Sequence, residues 1–167
     1  MSIERVRTYL AGYGYADKIL EFDVSSATVA LAAQALGCEE CRIAKSLSFL
    51  VEDKAILIVA AGDARIDNPK YKAFFGTKAK MLTAEQAVEM VGHAVGGVCP
   101  FGVNEGVTVY LDESLRRFET VFPACGSSNS AIELTIPELE KLSGFTRWVD
   151  VCKWAAPTPT DESQPSA

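Results

Sequence analysis

Three short segments of the sequence combine residue types that could bind and activate a substrate. The first is residues 96–102, in which three glycines and a proline fall within seven positions. Glycine permits a positive φ and a close approach of the backbone, so successive N–H groups in such a loop could bind a carbonyl oxygen or an anion. The same composition also suits a loop that only connects two elements, and spacing alone leaves both interpretations open.

The other two segments are residues 125–130 and Lys45. Residues 125–130 read Cys-Gly-Ser-Ser-Asn-Ser, small groups that could line a pocket but are also common in ordinary turns. Lys45 follows Ala44 and precedes an apolar strand, where burial of an unpaired ammonium is costly. Its side chain could face a cleft and bind a phosphate or a carbonyl oxygen, or it could extend to solvent at the strand end.

Other patterns that often carry chemistry are incomplete. Cys38 and Cys41 form half of a zinc-binding pattern, but no second pair follows, and a structural zinc needs four ligands. His93 is the one histidine of the chain, and it could activate Cys99 only if the fold brought the two together. Phosphate-binding loops of the Walker or dinucleotide type are missing. We therefore expect no metal and no nucleotide cofactor.

Helices and strands that could position these segments are indicated by end signals and apolar spacing. Helices are predicted over residues 3–12, residues 27–36 after a cap at Ser25 or Ser26, residues 84–92 after the capping box Thr83-x-x-Gln86, and residues 136–142 after the capping box Thr135-x-x-Glu138. Strands are predicted at residues 19–24, 46–52, 55–61, 107–111, 119–123 and 131–134, with a hairpin joining the second and third. Because no regular βαβ rhythm emerges, the predicted fold is α+β, a mixed β-sheet or part-barrel flanked by helices.

Length and composition limit the class of protein. The chain has 167 residues, 49% of them hydrophobic, and a formal net charge of −6. This predicts one domain over residues 1–155, followed by a flexible tail at residues 156–167, which are rich in Pro, Thr and Ser. The longest apolar run, residues 55–61, is too short to cross a membrane, and the five cysteines follow no disulfide pattern. We expect a cytoplasmic protein that makes no membrane contact and does not coat nucleic acid through bulk charge.

Four segments taken together resemble the YbaK family, aminoacyl-tRNA deacylases related to the editing domain of bacterial prolyl-tRNA synthetase. In chain order they are residues 44–47 (Ala-Lys-Ser-Leu), 60–63 (Ala-Ala-Gly-Asp), 95–102 (Val-Gly-Gly-Val-Cys-Pro-Phe-Gly) and 124–128 (Ala-Cys-Gly-Ser-Ser), the last leading into residues 132–134. The resemblance implies a barrel-like α+β fold and hydrolysis, without a metal, of the ester that joins a wrong amino acid to the 3′ end of a tRNA.

The resemblance also implies roles for individual residues. Lys45 would contact the substrate, and the backbone around Gly96 and Gly97 would polarise the ester carbonyl. The other residues expected at the substrate are Val98, Cys99, Pro100, Gly126, Ser127, Ser128 and His93. Water or a substrate hydroxyl would be the nucleophile, and the amino acid removed stays open among alanine, cysteine, serine and threonine.

A mischarged tRNA is the expected partner, and a synthetase is a further candidate. Residues 61–80 carry five basic and two acidic residues, so this stretch is positive in an acidic chain. Its run Lys70, Lys72, Lys78 and Lys80 is either a solvated face or a contact for the tRNA backbone. The alternatives are a non-catalytic module that binds tRNA or a synthetase, and an esterase for small activated amino-acid esters. The sequence does not distinguish a monomer from a weak dimer.

Overall fold

The computed structural model describes residues 2–154, and the tail predicted at residues 156–167 lies outside the described residues. The helices are α1 (Ser2–Ala11), α2 (Val29–Leu36), α3 (Asn68–Phe75), α4 (Ala84–Gln86) and α5 (Ile136–Ser143), with short 3₁₀ turns at Ala16–Lys18, Glu40–Arg42 and Glu113–Arg117. The strands are β1 (Leu20–Glu21), β2 (Ile43–Val51), β3 (Lys54–Ala61), β4 (Arg65–Ile66), β5 (Thr108–Asp112), β6 (Thr120–Pro123), β7 (Ser130–Ala131), β8 (Leu134–Thr135), β9 (Arg147–Val149) and β10 (Cys152–Lys153).

Six strands form one curled, half-barrel sheet in the order β8-β6-β2-β3-β5-β9. The antiparallel pair β2–β3 lies at its centre, with β6 parallel to β2 on one side and β5 parallel to β3 on the other. Every residue of β3 from Ala55 to Ala61 is buried, as expected for a continuous apolar strand that is covered on both faces. The predicted α+β mixed sheet flanked by helices is confirmed.

The predicted hairpin between β2 and β3 closes through Glu52 and Asp53. Both residues have positive φ, 50° and 66°, the backbone pattern of a two-residue turn whose twist matches that of the strands. The resulting register places Lys45 opposite Ala60. The lysine therefore lies close to the end of β3 and to the turn that follows it.

Both predicted capping boxes are present. Thr83 accepts from the backbone N–H of Gln86, and Thr135 accepts from that of Glu138. After α4 the helix continues as a π-helical turn over Ala87–Val91 and ends at a left-handed glycine. Wider turns of this kind are frequent near functional sites, and this one leads directly into the loop that contains residues 96–102.

The prediction of a Ser25 or Ser26 cap for α2 is wrong. Thr28 is the N-cap, and its Oγ1 accepts from the N–H of Leu31 at 3.1 Å. The helix therefore begins at Val29, and the two serines are left to bind elsewhere in the chain.

The strand predicted at residues 131–134 is divided into two, because β7 pairs with β1 and β8 pairs with β6. Helix α3 was not predicted, although Asp67 caps it and a glycine ends it. β4, β9 and β10 were not predicted either, since two or three residues are too few to show a period. No helix within residues 2–154 has the length and apolar character needed to cross a membrane.

Candidate functional site

A small cavity opens beside the central hairpin. Its volume is about 310 Å³, and its walls come from β2, from the segment that leads into α2, from the loop before β5 and from the region around β6 and β7. Small side chains, among them Ala44, Ala124 and Ala131, leave the space open. Met81 and Val95 line its mouth and are 58% and 68% exposed. The cavity thus combines a narrow interior with an apolar rim.

Lys45 lies on the wall of this cavity. Its Nζ donates to the carbonyl oxygens of Gly62, at 3.4 Å, and of Ala64. Partial burial lowers the pKa of Lys45 below its ordinary value, since the charged form loses hydration. An ammonium has three N–H donors. With two on carbonyls, the third can bind an oxygen that enters the cavity.

The two glycine-containing loops predicted from the sequence contact each other through their backbones. A Cβ on Gly97 would lie 2.6 Å from the carbonyl carbon of Gly126 and from the nitrogen of Ser127. Only glycine allows this approach, because ordinary side-chain contacts begin near 3.4 Å. Gly96 lines the cavity with a φ of +97°, a conformation that side-chain-bearing residues rarely adopt.

Backbone N–H groups in the first loop differ in availability. The N–H of Gly97 donates to the carbonyl of Ala94 at 3.0 Å and closes a turn. Gly96 and Val98, on either side, both line the cavity. Within residues 2–154 no protein acceptor is bonded to either N–H. These two groups, rather than the N–H of Gly97, could bind a carbonyl oxygen in the cavity.

A third segment, not predicted from the sequence, completes the arrangement. Ser26 donates to the carbonyl of Ser128 through its N–H at 2.6 Å and its Oγ at 3.3 Å. Ser25 Oγ reaches the same carbonyl at 3.5 Å. The serines expected to cap α2 therefore connect the start of that helix to the second loop. In the sequence alone, this bonding of the two serines to the second loop could not be distinguished from an N-cap signal.

Internal hydrogen bonds fix the shape of the second loop. Ser127 Oγ bonds to Ser130 Oγ at 2.6 Å and to Asn129 Oδ1 at 3.0 Å. Asn129 in turn donates through Nδ2 to the carbonyl of Phe22 at 2.9 Å. Gly126 is buried and Ser128 is exposed, whereas Ser130 lines the cavity. The Ser127 hydroxyl is thus engaged in holding the loop.

His93, which precedes the first loop, and Cys99 and Pro100, which belong to it, are buried and are not among the residues that line the cavity. His93 Nε2 lies 2.8 Å from the carbonyl oxygen of Phe101 and 3.7 Å from Cys99 Sγ. Burial lowers the pKa of His93 and raises that of the Cys99 thiol to about 12. A neutral imidazole can donate to the Phe101 carbonyl, and a thiol of such high pKa is a poor nucleophile. Both side chains contact the Phe101 carbonyl on the buried side of the loop.

The lysine run divides into two parts. Lys70 Nζ is 3.0 Å from Asp150 Oδ1 and 3.1 Å from the carbonyl oxygen of Cys152. Hydrogen bonding to Asp150 raises the pKa of Lys70, and the ion pair offsets its charge. Lys72, Lys78 and Lys80 are exposed. Lys80 directly precedes Met81 at the mouth of the cavity, so this end of the run lies nearest to the site.

Apolar residues at the mouth were missed in the sequence. Met81 belongs to no motif, and Val95, although it begins the segment 95–102, was not among the residues expected at the substrate, because exposure of a lone apolar side chain leaves no mark in the pattern of a loop. In β2, the alternation of serine with an apolar residue in Ser46-Leu47-Ser48-Phe49 indicates that one face of the strand is polar and the other apolar.

Within residues 2–154, no three His, Cys, Asp or Glu side chains come close enough together to hold a metal ion.

The sequence profile of the aminoacyl-tRNA editing domain matches residues 24–142. This chain belongs to the aminoacyl-tRNA editing domain family. The matched residues include β2, both loops and the segment that leads into α2. The resemblance to YbaK-like proteins is confirmed.

Individual relatives span different shares of the chain. YwhH of Bacillus subtilis, an uncharacterized protein, is 55% identical over 154 residues, which are 92% of this chain and 98% of YwhH. The proline–tRNA ligase of Halalkalibacterium halodurans is 31% identical over 104 residues, which are 62% of this chain but 18% of the ligase. A crystal structure described as "a putative trans-editing enzyme for prolyl tRNA synthetase" superposes with a TM-score of 0.81 at 35% identity, covering 91% of this chain and 97% of the other.

Proposed function

We propose that this protein is a trans-editing hydrolase that deacylates mischarged tRNA. One observation carries the proposal: Lys45, Gly96 and Val98 line one small cavity in an editing-domain fold, and within residues 2–154 no protein acceptor is bonded to the N–H groups of Gly96 and Val98. A synthetase pocket that must reject a side chain differing by one methylene gains only about 1–3 kcal/mol of discrimination, so a second hydrolytic site is a usual remedy.

In the proposed reaction, water attacks the carbonyl carbon of the aminoacyl ester. Negative charge develops on the carbonyl oxygen, where the N–H groups of Gly96 and Val98 would stabilise it. The bond from the carbonyl carbon to the ribose oxygen then breaks, the ribose oxygen takes up the proton that the attacking water gives up, and free amino acid and tRNA are released. Gly97 would act by holding the donor loop against Gly126.

The remaining predicted residues support this reaction in different ways. Lys45 would bind an oxygen of the substrate through its third N–H. His93, Cys99 and Pro100 would keep the donor loop in place, and Ser127 would fix the opposite loop. Ser128 is exposed within that loop, and its carbonyl accepts from Ser26 in the segment that leads into α2.

The proposed partner is the 3′ end of a mischarged tRNA, with a synthetase as a further candidate. Lys78 and Lys80 are the lysines best placed for phosphate contacts, with Lys72 further along the same run. Lys70 would contribute less because Asp150 already pairs with it. A tRNA substrate is consistent with the cytoplasmic location predicted from the sequence.

A deacylation panel tests the proposal. Purified protein would be incubated with tRNAs mischarged with alanine, cysteine, serine or threonine, and release of the amino acid would be followed over time. We expect turnover of at least one substrate, and a loss of about 10- to 150-fold in Lys45→Ala, since a hydrogen bond to a charged group contributes about 1.5–3 kcal/mol. Lys54→Ala, at the exposed start of β3, is the matched control and should keep the wild-type rate.

Each other outcome has a distinct meaning. Full activity of Lys45→Ala would exclude the lysine from the reaction. Binding of tRNA without turnover of any substrate would favour a non-catalytic module. Hydrolysis of small aminoacyl esters at a rate that does not respond to salt would favour the esterase, because tRNA contacts weaken steeply as salt rises.

A further inference from the structure

The Lys45 ammonium is held by residues 62–64, the turn between β3 and β4. Its two carbonyl acceptors, Gly62 and Ala64, are the first and last residues of this turn. A lysine side chain has four rotatable bonds and does not fix its own end. The position of the turn therefore decides where the ammonium points in the cavity.

Asp63, the middle residue of the turn, forms a two-bonded ion pair. Arg117 Nη1 donates to Asp63 Oδ2 at 3.0 Å, and Nη2 donates to Oδ1 at 2.6 Å. Paired bonds of this kind fix the carboxylate in angle as well as in distance. The two side chains are 34% and 28% exposed, so the pair is less hydrated than most surface ion pairs.

The Arg117 guanidinium is itself tightly held. Its Nε donates to the carbonyl of Ser114 at 2.9 Å. Its carbon lies 4.5 Å from the ring centre of Trp154 and 4.8 Å from that of Phe118. A planar guanidinium can make these contacts and the paired bonds together, whereas a lysine ammonium cannot. Arg117 thus provides a rigid anchor for the turn.

The same 3₁₀ turn, Glu113–Arg117, also holds Ala61, the last residue of β3 before the turn. Ser114 Oγ accepts from the N–H of Ala61 at 3.0 Å, and Asp112 Oδ2 accepts from the N–H of Ser114 at 2.9 Å. Ser114 and Asp112 are fully buried. One short helix therefore fixes the turn at two points, Ala61 and Asp63, on either side of Gly62.

We propose that Arg117 and Asp63 are a positioning pair for Lys45, acting through the turn between them. The inference rests on the proposed function, in which Lys45 binds the substrate. Neither residue of the pair lines the cavity, so neither would touch the aminoacyl group bound there. Their effect would be to keep two carbonyls where they hold the ammonium and to leave its third N–H directed inward.

A spectroscopic experiment tests the positioning without any substrate. In ¹⁵N-labelled protein, NMR of lysine side chains detects an ammonium whose hydrogen exchange is slowed by hydrogen bonding, and Lys45→Arg identifies the Lys45 signal by its loss. We expect Arg117→Ala and the isosteric Asp63→Asn to shift or broaden that signal. Arg116→Ala is the matched control, because Arg116 pairs with Glu113 and stacks on Trp148, and it should leave the signal unchanged.

A kinetic cycle tests the consequence for the reaction. Asp63→Asn and Arg117→Ala should lower kcat by about 10- to 100-fold, since a displacement of about 1 Å can have such an effect. In a Lys45→Ala background the same changes should cause no further loss. Thermal unfolding of each variant checks folding, and Asp63→Asn serves if Arg117→Ala fails to fold.

The outcomes separate this inference from the proposed function. If Lys45→Ala is fully active, the role of the lysine in the reaction is wrong, and the NMR result still decides the positioning. If Asp63→Asn leaves both the Lys45 signal and the rate unchanged, the positioning is wrong although the deacylase stands. An equal loss of rate with and without Lys45 would show that the pair only supports the fold, and would also overturn the proposal.

Discussion

Substitution of Gly97 by alanine should separate the two loops of the site. The new Cβ would lie 2.6 Å from two backbone atoms of residues 126 and 127, whereas ordinary contact begins near 3.4 Å. One loop must therefore move by about 0.8 Å. Because both contacted atoms belong to the main chain, no side chain can rotate away. Gly97 has no positive φ, so backbone strain does not add to this steric effect.

The displacement has two expected results. Overpacking of this kind destabilises a protein by about 1–3 kcal/mol, which chemical denaturation would measure. Loss of one oxyanion donor lowers kcat by about 10²–10³-fold, and a shift of the Gly96 and Val98 N–H groups should approach that range in the deacylation assay. Gly12→Ala is the control, since its Cβ would meet a single carbonyl oxygen at 3.4 Å. A Gly97→Ala protein that is folded, destabilised and fully active would refute the role of this loop in the reaction.

Three further results are expected. Because burial lowers the pKa of His93, the unfolded chain takes up a proton below about pH 6.5 that the folded protein does not. The free energy of unfolding should then fall with decreasing pH, by up to about 1.4 kcal/mol per pH unit. His93→Gln should lack this part of the pH dependence when the free energy of unfolding is measured by denaturation at several pH values. Tyr71→Phe should leave stability unchanged or raise it by about 1 kcal/mol, because the buried hydroxyl has no partner among residues 2–154. Tyr9→Phe removes a 2.7 Å hydrogen bond to a carbonyl and should lower the free energy of unfolding by about 1 kcal/mol. Equal changes in the Tyr71 and Tyr9 variants would contradict this reasoning. A thiol reagent should modify the half-exposed Cys41 in the native protein, and Cys99, with its pKa of about 12, only on unfolding; early modification of Cys99 would show that its loop opens.

Local signals in the sequence predicted the elements that depend on local chemistry. The capping boxes at Thr83 and Thr135 formed because a threonine and a Gln or Glu three residues later bond to each other's backbone. The β2–β3 hairpin formed because two apolar runs flank a short polar turn. Helix α3 carried equally good signals in Asp67, a proline in its first turn and Gly76. Apolar spacing did not indicate it, because its aromatic residues do not share one buried face: Tyr71 is buried, whereas Phe74 is exposed.

The site was predictable in its parts but not in its assembly. Lys45 and the glycines of the first loop stand out by composition, and both lie on one cavity. Ser26 does not stand out, because a serine before a helix is a cap signal in most sequences. The Asp63–Arg117 pair joins residues 54 positions apart, and although Asp63 ends the segment 60–63, nothing in the sequence connects it with Arg117. Such contacts depend on the tertiary fold, which no local pattern encodes.

The two-residue turn at Glu52 and Asp53 also has a consequence for how the protein folds. Pairing of β2 with β3 closes a very short loop, whereas β5 must join β3 through a parallel pairing such as Ile56 with Thr108. Short loops close with a smaller loss of chain entropy and therefore sooner. We expect amide protons of the hairpin to gain protection early in refolding. The cavity needs residues 96–102 and 124–130 as well. A nascent chain would therefore contain Lys45 before the cavity could form, and the proposed hydrolysis would begin only after the last steps of folding.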